Sequence, residues 1–384
     1  MRVLMVTHET SRTGAPRVAI MTTRGLREQG HDVRVVARFP GPLLPEFRAE
    51  APTAVEPLYR LRRRLRAVRA LRPMALVLDW AVVSAVIIRH RPDLVYVNST
   101  AAAIYLRPAR WLRRPVILHV HESASIVEQF VRGARASTEF RRVRILACSP
   151  SVREDLARLT GRALDDVPMI LSVPDDSSVT RLAAEEPDVD YGTDELVVGC
   201  CGAVERRKGA DLWDEIAERV RQQLPARTVR FVWIGEDDPT VRPVGPTDAE
   251  FIGSRANPYP HIARFDVFAL PSRDDPFPLV VIEAMLLGRP VVAFDVGGVS
   301  RQIADAGVLV PVGDVGGLAD GIVRLLADDR ARQTLGNRAR DRALSTFSTR
   351  VFLDAIGAMV DSTAVPEDLA AGSSPRGADR LPNP

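Results

Sequence analysis

The chain has 384 residues, 46% hydrophobic and 26% charged, with a formal net charge of +3. That length exceeds what one ordinary core organises, so a single small domain is excluded and two globular domains are expected. The small total hides an asymmetry: residues 1–173 carry 29 Arg against 15 Asp+Glu, a net +14, and the remainder carries 23 basic against 34 acidic residues, a net −11. A basic half suits an anionic partner, whether a membrane surface, a phosphorylated substrate or nucleic acid.

The N-terminus is apolar too briefly for a cleavable signal and reads as a first strand. Apolar runs at 3–7, 33–37, 94–98, 116–120 and 145–148 predict strands, with helices at 15–29 and 101–112 between them. Strands alternating with helices imply a parallel sheet covered on both faces. After the first strand, Gly14-Ala15-Pro16 opens a helix whose free N–H groups can hold an anion or a hydroxyl-rich ligand. No Gly-x-Gly-x-x-Gly pattern accompanies it, so a dinucleotide site is not supported.

Residues 58–72 predict a helix. Leu58, Leu61, Leu65, Val68 and Leu71 recur at helical spacing, and arginines fill most other positions. Such a helix either lies on an anionic membrane surface or lays its stripe on the core beneath a solvated arginine face. The apolar stretch at 74–88 is too short to span a bilayer and contains Asp79. His119 and His121 share one face of the strand at 116–120, and Glu122 opens the next helix. His119 reads as structural. His121 sits at the strand's carboxyl end, where parallel sheets bind ligands. No third ligand lies near the pair, so no metal is expected. Cys148, Cys200 and Cys201 read as buried free thiols of a reducing compartment.

Residues 174–194 are acidic and polar and read as a linker, with Asp188-Val189-Asp190 as solvated charge. The pattern then restarts, with strands at 196–201, 230–234, 267–270, 291–294 and 308–310 and helices at 210–224, 279–287 and 318–327. The expected units are therefore 1–173 and 195–348, a last helix at 349–361, and a disordered tail at 362–384.

Lys208 is the only lysine in the chain and lies between Gly202 and Gly209, just after the strand at 196–201. Lysine is a compact point charge where arginine is a planar fork, and phosphate sites use both. Asp275 and Glu283 flank the start of the helix at 279–287. Donors there come from the N–H groups of Phe277, Leu279 and Val280, since Pro278 has none; they can hold phosphate without a metal. A carboxylate in so apolar a helix is costly unless partnered. That favours a ribose diol at Glu283 over a plain salt bridge.

The ordered set Gly202…Lys208-Gly209, Asp275-x7-Glu283-Ala284-Met285, Gly288-x-Pro290-Val291-Val292-Ala293, Gly297-Gly298 and Gly307-x-Leu309-Val310-Pro311-x-x-Asp314 resembles one family. It is that of the retaining nucleotide-sugar glycosyltransferases of family 4 (glycosyl transferases group 1). Gly14-Ala15-Pro16-Arg17, Gly41-Pro42-Leu43 and Asn98-Ser99-Thr100 resemble its branch in bacterial surface-polysaccharide biosynthesis. The resemblance runs from residue 1 to about residue 360.

The resemblance implies an α/β fold of the GT-B type: two Rossmann-like, doubly wound domains facing a central cleft, with acceptor bound by the first and donor by the second. It implies that Lys208 meets the donor diphosphate, Glu283 the ribose, Asp275 the sugar hydroxyls and His121 the reaction centre. Gly14, Gly202, Arg207, Gly209, Phe277, Leu279 and Val280 would line the donor, and Ala15 and Glu122 the acceptor side. The departing phosphate would take the acceptor's proton, without a side-chain nucleophile, metal or cofactor. The implied partners are a nucleotide sugar and a saccharide or lipid-linked acceptor, not nucleic acid. The implied place is the cytoplasm, on the inner face of the membrane through 58–72.

Three residues depart from the family pattern. Ala203 stands where an Arg is usual, with Arg206 or Arg207 as candidate replacements. Asp275 stands for Glu, and Arg301 for Glu. A natural-product glycosyltransferase, a sugar-nucleotide-binding protein without turnover, a UDP-sugar 2-epimerase and a phosphorylase are the competing readings.

Overall fold

The computed structural model describes residues 1–133, 143–192, 194–236, 238, 240–241 and 249–364, the side chains of 129–133 and 364 excepted. The expected tail lies outside the described residues from 365 onward.

The first sheet is parallel, in the order β3-β2-β1-β4-β5-β6. Its strands are β1 (Arg2–Glu9), β2 (Asp32–Phe39), β3 (Thr53–Val55), β4 (Leu94–Asn98), β5 (Val116–Val120) and β6 (Arg144–Ala147). The second sheet, β12-β11-β10-β7-β8-β9, is built the same way. It comprises β7 (Leu196–Cys201), β8 (Val229–Ile234), β9 (Glu250–Gly253), β10 (Val267–Leu270), β11 (Val291–Phe294) and β12 (Val308–Val310). Numbered within its own domain, each sheet reads 3-2-1-4-5-6, the doubly wound order that opens a crevice between strands 1 and 4. Every residue of β4 and β5 is buried, because helices cover both faces; hence both are apolar apart from Asn98 and His119. The sequence pattern missed β3 and β9. Both are short edge strands whose residues stay partly exposed, so no apolar run marks them.

Helices α1 (Gly14–Glu28), α2 (Leu44–Glu50), α3 (Tyr59–Ala67), α4 (Arg72–His90), α5 (Leu106–Trp111), α6 (Ala124–Gly133) and α7 (Pro150–Thr160) belong to the first domain. Segment 174–194 carries α8 (Asp176–Leu182), capped by the Asp175 carboxylate accepting from the Ser178 N–H at 3.0 Å. The second domain holds α9 (Trp213–Gln223), α10 (Tyr259–Ile262), α11 (Leu279–Leu286), α12 (Val299–Ile303), α13 (Val315–Ala327) and α14 (Asp329–Thr346). The last helix, α15 (Thr349–Ala364), packs on α1, where Gln29 Nε2 donates to the Leu353 carbonyl at 3.0 Å.

Residues 58–72 are not one helix. α3 ends at Ala67, Val68 is extended, and α4 begins at Arg72 after a single 3-10 turn. Nor does the leucine stripe face the core, since Leu58, Leu61 and Val68 are exposed. The side of α3 that turns inward is polar. Arg62 is buried and bonded to Glu56 and Asp79, and Arg66 also holds Asp79. Two buried carboxylates need cations more than the stripe needs burial, so charge decides the helix's rotation. Periodicity alone cannot report this. Residues 69–90 are long and apolar enough to cross a membrane by length and composition. In the fold, however, Ala75, Val83 and Ile87 are buried within it and Asp79 sits in the ion network.

Candidate functional site

The carboxyl ends of both sheets face each other across a cleft, with α1 and α11 opposed. A methyl placed on Gly14, the first residue of α1, would meet Leu279 Cδ1, the first residue of α11, at 3.5 Å. Two helix starts therefore approach the same space, each with N–H groups lacking intrahelical acceptors.

Lys208 follows β7 in a 3-10 turn closed by Gly209. Gly209 adopts φ +79°, and a Cβ there would lie 2.0 Å from the Pro271 carbonyl oxygen. Only glycine lets the Lys208 turn come this close to the loop after β10. Lys208 Nζ donates to Asp275 Oδ2 as an ion pair, both side chains being largely buried. Asp275 is fixed from its other side by Gly297, at φ +55°, where a Cβ would lie 1.9 Å from the Asp275 carbonyl oxygen. Gly202 packs against the Lys208 stem, and its carbonyl accepts from Trp233 Nε1 at 2.7 Å.

Arg206 and Arg207 are each engaged by neighbouring groups. Arg206 is solvent-exposed, 3.9 Å from Asp211. Arg207 Nη1 donates to the Asp274 carbonyl at 2.9 Å and pairs with Glu205, bracing the 272–275 loop. A further cation comes from the other domain. Arg17, on the first turn of α1, donates from Nη1 to the Tyr259 hydroxyl at 2.7 Å and lies 3.6 Å from Glu283 Oε1. Tyr259 in turn donates to Glu283 Oε1 at 3.1 Å. Burial raises the Glu283 carboxyl above its ordinary 4.5, with Arg17 and Tyr259 pulling it back.

Phe277 is a buried anchor, edge-on to Phe347 at 6.1 Å between ring centroids. Its ring leaves the backbone of 277–280 to present the start of α11. Val280 is half-buried there, and Val281 N–H bonds the Pro278 carbonyl at 3.2 Å. Arg301 is exposed. The neighbouring Gln302 is buried and donates from Nε2 to the Pro278 carbonyl at 3.0 Å.

On the facing domain, Asn98 sets the state of His121. Asn98 Nδ2 donates to the Ala15 carbonyl at 3.0 Å, so its Oδ1 accepts from His121 Nε2–H at 3.0 Å. His121 Nδ1 then accepts from the Ser172 hydroxyl at 3.3 Å. Burial holds the ring neutral, with its pKa down at about 4 although Glu122 works the other way. Both ring nitrogens are engaged. Glu122 accepts from Ser99 Oγ, from the Thr100 N–H at 3.3 Å and from the His121 N–H at 3.1 Å, so it shapes the loop after β4. His119 is fully buried, its Nδ1 on the Tyr96 hydroxyl at 2.8 Å.

Beside Asp275 the cleft contains a cavity of about 280 Å³ lined by Ser123, Ser125, Ser151, Asp155, Asp274 and Gly297, among others. Ser123 Oγ donates to Asp274 Oδ2 across it at 2.8 Å. A larger cavity, about 390 Å³, involves Gly25 and Gln29 at the opposite end of α1, roughly 16 Å from Gly14 by helix rise, away from these groups. Sequence reasoning assigned no role to Arg17 or Tyr259. Arg17 carried a signal, standing one turn from Gly14. Tyr259, remote in sequence and in no motif, carried none.

Residues 195–328 match the family described as "Glycosyl transferases group 1", and residues 12–170 match "Glycosyltransferase Family 4". A D-inositol 3-phosphate glycosyltransferase of Xylanimonas cellulosilytica is 30% identical over 225 residues, covering 52% of each chain. The N-acetyl-alpha-D-glucosaminyl L-malate synthase of Bacillus anthracis is 36% identical over 99 residues, 25% of this chain and 26% of that one. The chain thus spans about half or less of the length of these curated relatives. Anabaena HepE, solved in complex with UDP-glucose, superposes with a TM-score of 0.73 at 20% identity, covering 94% of this chain and 100% of that one. That likeness establishes the two-domain fold.

Proposed function

Because the chain belongs to the family 4 glycosyltransferases (glycosyl transferases group 1), we propose that it moves a hexose-type sugar from a nucleotide-diphosphate sugar to a saccharide or lipid-linked acceptor. The transfer retains anomeric configuration, uses no metal, and serves surface-polysaccharide or glycoconjugate synthesis at the cytoplasmic face of a membrane.

The observation that carries this reading is a pair of ion pairs at two facing helix starts: Lys208 with Asp275, and Arg17 with Glu283. A nucleotide sugar is the kind of ligand that divides both. Its phosphates take the cations and the α11 N–H groups, its ribose takes Glu283, and its sugar hydroxyls take Asp275. Until then the pairs keep buried charge compensated. Arg17 thereby supplies, from the facing domain, the second cation that Ala203 cannot.

In the transfer, the bond from sugar C1 to the β-phosphate oxygen breaks. A bond from the acceptor oxygen to C1 forms on the same face, and the acceptor's proton passes to the departing phosphate. Lys208, Arg17 and the α11 start stabilise the developing anion. His121, held neutral with its ring nitrogens taken by Asn98 and Ser172 and its backbone N–H by Glu122, stands beside the sugar as a fixed wall. The hydroxyl- and carboxylate-lined cavity at Ser123 and Asp274 suits a saccharide acceptor.

The test is release of nucleoside diphosphate from a panel of UDP-, GDP- and ADP-sugars, beginning with UDP-glucose, with and without EDTA. Turnover that survives EDTA is expected, and its abolition by EDTA would refute metal independence. Ala203 favours a second reading, a binding protein. Calorimetric donor binding without turnover across acceptors would select it.

A further inference from the structure

Among the described residues, nothing covers the outward faces of α3, α4 and α5. Met74, Leu76 and Val77 are 60%, 64% and 70% exposed, next to Trp80 at 43% and Trp111 at 64%. The two indoles meet edge-on, 5.1 Å between ring centroids. α3 packs on α4 and α4 on α5, and Leu58, Leu61 and Val68, in or beside α3, are exposed as well.

The charge around it has one sign. Between Glu56 and Asp79 the sequence holds seven arginines and no acidic residue, and between Asp93 and Glu122 it holds four and none. The two bounding carboxylates Glu56 and Asp79 are buried and bonded to Arg62. They hold α3 with its arginine-flanked leucines outward. Arg60, Arg63, Arg64, Arg69 and Arg72 are exposed.

We propose that this composite surface, centred on Trp80 and Trp111, docks the protein on an anionic lipid bilayer. Indoles settle at the headgroup level, where one edge is apolar and the other wet. Guanidinium forks pair with lipid phosphates, and their stems stay on the apolar surface. A second copy of the chain is a poorer occupant, because face-to-face pairing would set arginine against arginine. α3 follows β3, the edge strand of the first sheet. The composite surface differs from a lone helix 58–72 lying on lipid, since three helices contribute and the indoles come from outside that segment.

The experiment uses the full chain and no nucleotide sugar, so its outcome is independent of the proposed transfer. Flotation is measured with vesicles of phosphatidylcholine alone and of an equal mixture with phosphatidylglycerol. Tryptophan quenching by brominated phosphatidylcholine is followed in parallel. Trp213 and Trp233 are fully buried in the second domain, so quenching reports Trp80 and Trp111. Binding is expected only with phosphatidylglycerol, weakened by salt. Loss of about tenfold or more is expected in Trp80→Ser/Trp111→Ser and in Arg63→Glu/Arg64→Glu. Because all four side chains are exposed, the melting temperature of each variant should match wild type; if the tryptophan variant fails to fold, the arginine variant carries the test. Equal flotation with phosphatidylcholine alone, no binding to either vesicle, or undiminished binding by the variants overturns the proposal. So does a dimer that Trp80→Ser/Trp111→Ser dissociates.

Discussion

Arg17 of the first domain and Glu283 of the second lie 3.6 Å apart across the cleft, joined through the Tyr259 hydroxyl that each of them contacts. The arginine and the carboxylate come from helix starts in separate sheets, so this contact forms only when the domains face each other. Arg17→Met removes the charge at near-constant volume. It is expected to lower kcat/KM for the donor about 10- to 100-fold, the range for hydrogen bonds to charged groups. Initial rates over a donor series check this. A normal donor dependence would return the second cation to Arg206 or Arg207.

Glu283 should show stability and function pulling apart. Burial raises its carboxyl above the ordinary value, so the folded chain disfavours the charged form at neutral pH. Glu283→Gln keeps the shape and drops the charge. Its melting temperature at pH 7 without ligand is expected at or above wild type, while calorimetry shows weakened nucleotide-sugar binding. A lower melting temperature would mean that the pairing with Arg17 outweighs the desolvation.

His121 gives a pH dependence of defined sign. Its folded pKa is about 4, against an ordinary 6.5, because burial disfavours the imidazolium more than Glu122 favours it. The unfolded chain therefore binds the proton first as the pH falls. The stability contributed by the neutral ring is present above about 6.5 and is lost as the pH drops towards about 4, on the order of 3 kcal/mol at most. Denaturant melts across that window should fall less steeply for His121→Gln than for wild type. Part of the slope should remain, since burial also lowers His119.

Gly209→Ala places a Cβ 2.0 Å from the Pro271 carbonyl oxygen at a φ of +79°. A cost on the order of 2 kcal/mol or more is expected in urea unfolding. Donor affinity should fall with it, because Lys208 is the adjacent residue.

The sequence reported most of what is buried on both sides. Strands β7, β10 and β11 are apolar runs, β4 and β5 are interrupted only by Asn98 and His119, and the motif residues Lys208, Asp275 and Glu283 lie in the second domain after such strands. It reported poorly what depends on charge in three dimensions. The leucine stripe at 58–72 was visible, but its outward rotation follows from Glu56 and Asp79 drawing Arg62 inward. The Arg17–Tyr259–Glu283 contact joins three distant segments, so no local pattern could show it.

In the proposed transfer Lys208, as a point charge beside Asp275, receives the departing diphosphate without a metal. The most direct measurement is donor turnover by wild type and Lys208→Arg, side by side, in EDTA. Wild-type turnover is expected intact and the variant slower by about 100-fold or more, the cost of misplacing one stabiliser of the developing anion. Equal turnover by the two proteins, or none by wild type until a divalent ion is restored, would contradict this role.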